Sequence, residues 1–296
     1  MRAMKTVNKR LVSIVILTWN RKSDLRTTLY KIRSVDYSPI ETVVVDNAST
    51  DATDKMISDE FPEVKYIRLS KNGGIAGYNV GFRVACGEYV VALDSDSYPA
   101  VDAITKMVEL FTKYPKAGAV AFDVRCAGSG AEKRKAADEV TGEIFGYHGA
   151  GVGFRKEVFH TAGYWYEPFF LYCNEMDHAI RMIKSGYGII HSTCVKAFHK
   201  TSPAARASSA AAYYYTRNML WLIWRHYPLG EMLSATAYLV YLAVAQSFLQ
   251  RTTVYLRAVR DAFSNATKTL AEREPIEKSL MKNFRIPLHL VFTRWA

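Results

Sequence analysis

The chain has 296 residues, of which 49% are hydrophobic and 23% are charged, so it can bury a large core and is not expected to be disordered. Its four cysteines are widely spaced without a C-x-x-C pair, which argues against a zinc site or a disulfide framework and favours a reducing, cytoplasmic compartment. The formal net charge is +11, and from residue 195 onward fourteen Lys and Arg residues stand against five Asp and Glu residues. This basic last third favours an anionic partner, either a membrane surface or nucleic acid.

Strands and helices are predicted to alternate over roughly the first hundred residues, as in βαβ units. Apolar runs rich in β-branched residues predict strands at Leu11–Thr18, Ile40–Val45, Val64–Leu69 and Glu88–Leu93. Between them we predict one helix capped by Ser23, another capped by Ser49 or Thr50, and a third over Ile75–Ala85. The predicted fold class is therefore α/β, with an open, mostly parallel sheet flanked by helices.

Two carboxylates, Asp94 and Asp96, follow the fourth predicted strand in the segment A-L-D-S-D-S-Y-P. If the strand continues, both side chains project from the same face, because side chains alternate along a strand. Two hard anionic oxygens suit a magnesium or manganese ion that is shared with a phosphate. A pair of acids in a loop is more often a solvated turn, so the motif depends on its context.

Polar residues follow three of the predicted strands, namely Asn20, Asp46 and Asp94. Ligands of open α/β sheets bind beyond the carboxyl ends of the strands, so these three residues are expected to line one crevice. An Asp in this position more often satisfies local amides, but as one of three such residues Asp46 is predicted to bind a ligand. The N-G-G run at Asn72 predicts a tight entry into a helix whose amides could face a diphosphate.

Four segments, in this order and spacing, resemble glycosyltransferase family 2: V-S-I-V-I-L-T-W-N-R, V-V-V-D-N-A-S-T-D, N-G-G-I-A-G-Y-N-V-G and G-E-Y-V-V-A-L-D-S-D. The resemblance implies the GT-A fold and a transfer that inverts the configuration of the sugar. It also implies that Asp46 contacts the base of a nucleotide and that Asp94, with Ser95, lies near the ribose. Asp96 would hold a divalent ion, Mg²⁺ or Mn²⁺, against the diphosphate, and the backbone from Thr18 to Asn20 would flank the nucleotide.

A helix is predicted to begin near Asn174 as N-cap, with Glu175 and Asp177 in its first turn, where the helix dipole favours carboxylates. The family places an acidic pair here, whose second member acts as the base that deprotonates the acceptor hydroxyl. In this chain the pair reads Asn174-Glu175, so Glu175 is the predicted base and Asp177 is the alternative. For Asp177 a pairing with Arg181 at i,i+4 is the preferred interpretation. The surrounding pattern resembles rhamnosyltransferase-like members.

His199 follows a predicted strand over Gly188–Phe198. A lone histidine is more often a packed or surface residue than a ligand. The family commonly places a metal-binding histidine at this point, and the resemblance therefore implies that His199 completes the shell of the ion. Four other histidines are predicted to be structural, namely His148, His160, His178 and His191.

The composition changes after Pro203, which predicts a catalytic domain at 1–203 and a helical C-terminal extension at 204–296. Met232–Gln250 carries no charge and is long enough to be a transmembrane candidate, although its Ser, Thr and Gln residues make it only moderately apolar. Arginines follow at Arg251, Arg257 and Arg260. These features favour a segment that lies on a membrane surface, with packing on the catalytic domain or a homodimer interface as the alternatives.

The predicted activity is the transfer of a sugar from a dTDP-, UDP- or GDP-linked donor to a saccharide or a lipid-linked glycan in cell-surface polysaccharide synthesis, without a nucleic-acid partner. The predicted location is the cytoplasm, with a peripheral position at the inner face of the cell membrane as an alternative to a free one. A nucleotidyltransferase is one alternative, but it would need a glycine-rich phosphate loop after the first strand, where T-W-N-R has no glycine. A non-catalytic membrane-binding or nucleic-acid-binding protein with a basic tail is the other alternative.

Overall fold

The structure, a computed structural model, describes residues 10–128, 139–200 and 209–284. One sheet of nine strands lies at its centre. The strands are β1 (Val12–Thr18), β2 (Ile40–Asp46), β3 (Lys65–Arg68), β4 (Tyr89–Asp94), β5 (Ser97–Pro99), β6 (Ala117–Cys126), β7 (Thr141–Ile144), β8 (Val152–Arg155) and β9 (Gly188–His199). Their spatial order is β3-β2-β1-β4-β8-β6-β9-β5, with β7 paired to β9.

Helices pack against the sheet and against one another. They are α1 (Lys22–Ile32), α2 (Thr53–Glu60), α3 (Ala76–Val84), α4 (Ala103–Lys113), α5 (Val158–Thr161), α6 (Asn174–Lys184), α7 (Ser209–His226), α8 (Leu229–Leu249), α9 (Val254–Ser264), α10 (Ala266–Ala271) and α11 (Lys278–Met281). Val15 and Ile16 of β1 enter two different apolar clusters, because successive side chains of a strand point to opposite faces. The central strands are therefore covered on both sides, as their nearly continuous apolar sequences predict.

The register of the strands brings polar residues to one edge of the sheet. The first four strands along the chain pair in parallel, with Thr18 opposite Asp46 and Leu17 opposite Asp94. The short strand β5 pairs antiparallel to β9, and Ser97 lies opposite His199. This pairing carries the end of β9 to the loop that follows β4. The predicted α/β class, with an open sheet flanked by helices, is confirmed.

The three predicted helix caps are wrong. Helix α1 begins at Lys22, so Ser23 lies inside it, and the Lys22 amide donates to Asp51 at 2.8 Å. Helix α2 begins at Thr53 after Ala52, beyond the predicted caps Ser49 and Thr50. Asn174 is the first residue of α6 rather than its cap, which is Cys173. A contact between the loops after β1 and β2 replaces the local capping bond that the α1 sequence predicts.

The C-terminal helices share a core with the sheet. Met219 and Leu222 of α7 are fully buried in the same apolar cluster as Phe82 of α3 and Phe169. The boundary predicted at residue 203 falls outside the described residues and stays a prediction. Within the described part of the chain, α7 is therefore an integral part of this core.

Candidate active site

A cavity of about 490 Å³ opens at the carboxyl ends of β1 and β4. Its volume lies within the range of cofactor and substrate sites. The structure brings seven of the predicted site residues into its lining: Thr18, Asn72, Asp94, Ser95, Asp96, Glu175 and His199. The Thr18 hydroxyl is buried and has no hydrogen-bond partner among the described residues, so a polar ligand atom would satisfy it.

Asp94, Asp96 and His199 form one compact group of possible metal ligands. Each offers a ligand atom, and these atoms all lie within 4.8 Å of one another. His199 Nε2 is 3.2 Å from Asp96 Oδ1 and 3.7 Å from Asp94 Oδ2. Two carboxylates and one imidazole are a suitable donor set for a divalent cation such as Mn²⁺. The residues that are present therefore fit the predicted ion.

Neighbouring side chains orient the two carboxylates. The Tyr78 hydroxyl donates to Asp94 Oδ1 at 2.8 Å, which leaves Oδ2 on the side of His199. Arg21 Nη1 donates to Asp96 Oδ2 at 2.9 Å. Burial alone would raise the pKa of Asp96, but His199 and Arg21 lower it below its usual value. Asp96 is therefore an anion at neutral pH, as a metal ligand must be.

Glu175 lies in the first turn of α6 and faces the same cavity. Burial raises its pKa to about 7, with a contribution from the charge of Asp94, although its own amide and that of Gly149 favour the ionised form. A Cβ atom at Gly149 would lie only 2.8 Å from Glu175 Oε1, so the glycine makes room for the carboxyl group. A carboxyl group that titrates near neutral pH and opens into a cavity can act as a general base.

The segment that leads into α6 has an unusual backbone. Phe170, Tyr172 and Cys173 have φ angles of 62°, 64° and 66°, a left-handed conformation that costs roughly 1–3 kcal/mol for each side chain of this kind. The Phe170 carbonyl accepts a hydrogen bond from the Ile75 amide at 2.8 Å, and any Cβ at Gly74 would collide with it. This bent segment places Phe170 and Tyr172 in the cavity wall.

Asp177 does not reach the cavity, so the alternative assignment of Asp177 as the base is wrong. It is fully buried, and its Oδ2 pairs with Arg181 at 2.8 Å, as the i,i+4 interpretation predicts. Its Oδ1 accepts bonds from Arg225 Nε at 3.1 Å and His226 Nε2 at 2.8 Å, both in α7. Burial would raise the pKa of Asp177, but Arg181, His226 and Arg225 hold it well below its usual range. Asp177 therefore connects two helices rather than accepting a proton.

Asp46 and Asn20 are also outside the cavity lining, against expectation. Asp46 is fully buried, and its two oxygens accept bonds from the Ser49 amide at 2.9 Å and the Tyr66 hydroxyl at 2.6 Å. The more frequent structural role of an Asp after a strand applies here. Asn20 is exposed, and its Oδ1 accepts a bond from the Thr50 amide at 2.7 Å. Arg68 Nη1 lies 3.5 Å from Asp46 Oδ2 as a third partner, and a contact between Asp46 and a nucleotide base stays a prediction.

Several residues in the cavity lining have no predicted role in the sequence: Arg21, Tyr172 and Lys200. His148, which is predicted to be structural, also lines it, and its ring centroid is 5.9 Å from that of His199. The small-residue stretch that follows His148 is a sequence signal for its position, since it allows close approach of the backbone. Trp19 belongs to the segment whose backbone is predicted to flank the nucleotide, and its side chain also lines the cavity, but the 54% exposure of that side chain has no signature in the sequence.

Comparisons with known proteins identify the family of this chain. Residues 13–172 match the family described as "Glycosyl transferase family 2". Poly-beta-1,6-N-acetyl-D-glucosamine synthase of Staphylococcus epidermidis is 28% identical over 173 residues, which are 52% of this chain and 42% of that protein. An uncharacterized glycosyltransferase of Haemophilus influenzae is 28% identical over 106 residues, 34% of this chain and 42% of that protein. The chain thus spans less than half the length of these curated relatives.

Solved structures have the same fold. A mannosyltransferase of Pyrobaculum calidifontis in complex with GDP-Man and Mn²⁺ has a TM-score of 0.61 at 21% identity, over 98% of this chain and 85% of that one. Residues 1–349 of TarS from S. aureus give a TM-score of 0.59 at 16% identity, over 96% of this chain and 87% of that one. These similarities confirm the GT-A-type fold. Because the family match covers more than half of the residues, this chain belongs to glycosyl transferase family 2.

Proposed function

We propose that this family 2 enzyme is an inverting, metal-dependent glycosyltransferase. It moves a sugar from a nucleotide-diphosphate-sugar donor to a hydroxyl group of a saccharide or lipid-linked glycan. The observation that carries the proposal is the opening of Glu175 and of the group Asp94, Asp96 and His199 into one cavity. A base and a group of anionic cation ligands that open into one cavity are what a single displacement at the anomeric carbon requires.

Asp96 and His199, together with Asp94, would hold the divalent cation, which would stabilise the charge that develops on the departing nucleoside diphosphate. Thr18, Asn72 and Ser95 lie in the lining where the nucleotide would bind, and the Thr18 hydroxyl is available to it. Glu175 accepts the proton of the acceptor hydroxyl while the oxygen of that hydroxyl forms a bond to the anomeric carbon. The bond from that carbon to the diphosphate oxygen breaks on the opposite side, and the configuration inverts.

The similar proteins suggest which nucleotide sugars should be tested as donors. One solved neighbour contains GDP-Man and Mn²⁺, another contains UDP, GalNAc and Mn²⁺, and curated relatives make a polymer of N-acetylglucosamine. The resemblance of the sequence to rhamnosyltransferases adds a dTDP-linked donor. A suitable panel of probes is therefore UDP-N-acetylglucosamine, UDP-glucose, GDP-mannose and dTDP-rhamnose.

The test is a thermal-shift screen of this panel, with and without MnCl₂, on the wild type and on Asp96→Ala. At a ligand concentration of about 100 times Kd, binding stabilises the folded state by about 2.7 kcal/mol. We expect at least one nucleotide sugar to raise Tm in the wild type only when manganese is present, and Asp96→Ala to abolish this shift. The control variant is Asp59→Ala on the exposed side of α2, which should leave the shift unchanged. A manganese-independent shift in both variants would contradict the assigned cation site.

The C-terminal helices suggest where the acceptor is presented. Among the described residues, α8 is the one helix long and apolar enough to cross a membrane, and only 22% of its most apolar stretch is buried. Leu233, Tyr241 and Phe248 lie on one exposed face, at 59%, 66% and 79% exposure. Ten of the fifteen exposed large apolar side chains in the described part of the chain belong to residues 229–270. Such a concentration of exposed apolar area is typical of an interaction surface.

We propose that this exposed face of α8 binds the surface of an anionic membrane and brings the enzyme to a lipid-linked acceptor. Exposed Arg251, Arg257 and Arg260 follow the helix and are complementary in charge to anionic headgroups.

The triple variant Leu233→Ser, Tyr241→Ser and Phe248→Ser should lose cosedimentation with phosphatidylglycerol vesicles. The control Tyr30→Ser, at an exposed aromatic residue of α1, should keep it. Dimerisation of the wild type without vesicle binding would assign the face to a second copy of the chain instead.

A further inference from the structure

Helix α7 of the C-terminal extension donates hydrogen bonds to the carbonyl groups of the segment that leads to Glu175. Asn218 Nδ2 lies 3.0 Å from the Phe169 oxygen, 2.5 Å from the Leu171 oxygen and 3.1 Å from the Tyr172 oxygen. The adjacent Arg217 Nη2 donates to the Pro168 oxygen at 3.0 Å and to the Phe169 oxygen at 2.9 Å. One short stretch of α7 therefore holds the backbone from Pro168 to Tyr172.

The orientation of the Asn218 amide follows from its neighbours. Its Oδ1 accepts bonds from Arg217 Nε at 3.0 Å and from Arg217 Nη2 at 2.9 Å. A guanidinium group has only donors, so the oxygen must face it and the amide nitrogen must face the carbonyls. Asn218 is fully buried, so these carbonyls would have no water to replace its two N–H groups.

The held segment is the one with the left-handed backbone at Phe170, Tyr172 and Cys173. Such a conformation persists only where surrounding contacts impose it. Because the Tyr172 carbonyl lies three residues before Glu175, the path of this segment determines where α6 begins and where its first-turn carboxyl group points. Phe170 and Tyr172 themselves line the cavity, so the same contacts shape its wall.

The far side of the Glu175 turn is held by the same helix. Arg225 lies seven residues after Asn218, which places both on one face of α7. Arg225 and His226 bind Asp177, which is two residues after Glu175. Helix α7 thus contacts the chain on both sides of Glu175, although no α7 residue lines the cavity.

We propose that Asn218 is a positioning residue for Glu175: it holds the backbone of residues 169–172 from the C-terminal extension and so sets the place of the base relative to the cation site. This inference rests on the proposed function, because the role of Glu175 as base belongs to that proposal. It makes the C-terminal extension a structural part of the active site, whatever the extension binds.

The decisive variant is Asn218→Asp, which keeps the shape of the side chain and replaces the donating NH₂ with an acceptor. Asn218→Ala is the second variant, in case the carboxylate prevents folding. Asn265→Asp is the chemically matched control, since Asn265 donates a single bond to the Asp261 carbonyl at an exposed position of the same extension. Leu239→Ala is the control for lost stability, because Leu239 is fully buried in α8 and a large-to-small change there destabilises the core.

The activity measurement is nucleoside diphosphate release with MnCl₂ from the panel sugar that the wild type turns over fastest, well below every Tm. We expect kcat of Asn218→Asp to fall by about 100-fold, since a misplacement of about 1 Å can cost that much, while the donor KM stays within about twofold. Both control variants should keep the wild-type kcat. A kcat of Asn218→Asp and Asn218→Ala equal to that of Leu239→Ala would reduce Asn218 to a stabilising residue and overturn the proposal.

Amide hydrogen exchange provides a measurement that does not depend on activity. Exchange at residues 169–177 should become faster in Asn218→Asp or Asn218→Ala than in Leu239→Ala. Unchanged exchange there would also overturn the proposal. If the wild type turns over no panel sugar, the proposed function fails, and the exchange data alone decide whether Asn218 holds this segment.

Discussion

The two sides of the cavity are built in different ways. The cation side consists of side chains at strand ends and in the turn from β4 to β5, and the pairing of β5 with β9 brings His199 to Asp94 and Asp96. The base side consists of one residue on a helix, and the backbone before it is held by bonds from a helix that begins more than thirty residues later. The first side follows from sheet register, whereas the second depends on long-range contacts.

The largest effect is expected for Glu175→Gln, which tests the base side alone. The substitution keeps the size of the side chain but removes the group that accepts the proton. We expect kcat to fall by roughly 10²- to 10⁴-fold, with the manganese-dependent Tm shift by the donor unchanged. Initial rates and thermal shifts of the same preparation provide the measurement, with Glu167→Gln, an exposed acid near the held segment, as control. If Glu175→Gln has the same kcat as the wild type, Glu175 is not the base.

The next largest effect is expected on stability, for a substitution of the buried Asp177. Asp177→Asn leaves Arg225, Arg181 and His226 without their buried anion, which we expect to cost about 3–5 kcal/mol, or a Tm decrease on the order of 10 °C. Asp102→Asn, at an exposed pair with Lys106, should change Tm by no more than about 2 °C.

The pH dependence of this difference has a defined sign. The pKa of Asp177 is lowered in the folded state, so its contribution is present above the unfolded value of about 4 and is lost as the pH falls. The Tm difference between wild type and Asp177→Asn should therefore be constant from about pH 5 to 8 and shrink below about pH 4. A difference that grows on acidification would contradict the assigned ion pairs.

The ionised form of Glu175 is expected to destabilise the folded state, whereas that of Asp177 stabilises it. Its folded-state pKa is raised to about 7, so its ionisation disfavours the folded state increasingly between the unfolded value of about 4.5 and pH 7. Without manganese, Glu175→Gln should match the wild type in stability below about pH 4 and exceed it by roughly 1–3 kcal/mol at pH 8. Denaturant unfolding at several pH values measures this difference. Equal free energies of unfolding of the wild type and Glu175→Gln at pH 8 would show that the pKa of the Glu175 carboxyl group is not raised.

The smallest effect is expected for Gly149→Ala. The added Cβ would lie 2.8 Å from Glu175 Oε1, so the carboxyl group must shift by a few tenths of an ångström. We expect kcat to fall by about tenfold at unchanged donor affinity. Gly142→Ala in β7 is the matched control, because a Cβ there meets no atom within 4 Å. A change in donor affinity without a change in kcat would place Gly149 on the nucleotide side instead.

The sequence predicts that Asp94, Asp96 and His199 lie close together, as the structure shows, but it predicts the surroundings of Glu175 only in part. Asp94 and Asp96 follow a continuous apolar strand, and their motif, with His199, is recognisable without the structure. Asp46 does not line the cavity as expected, because a strand-end position does not reveal that Tyr66 and the Ser49 amide contact its oxygens. Its contact with a nucleotide base stays a prediction. Asn218 has no local signal at all, since its partners lie almost fifty residues away in the chain. Side chains that act through long-range backbone contacts leave no periodic pattern.

The pairing of β5 with β9 also bears on the order in which the enzyme acquires function during synthesis. Asp96 leaves the ribosome long before His199, and the chain must continue to Asn218 and Arg225 before the turn around Glu175 has its partners. A nascent chain that has completed β1 to β4 therefore still lacks β8 and β9, the later strand partners of β4 and β5, and the contacts around Glu175. Contacts of such wide sequence separation form late, so the surroundings of Glu175 are not complete before the chain has been synthesised beyond Arg225.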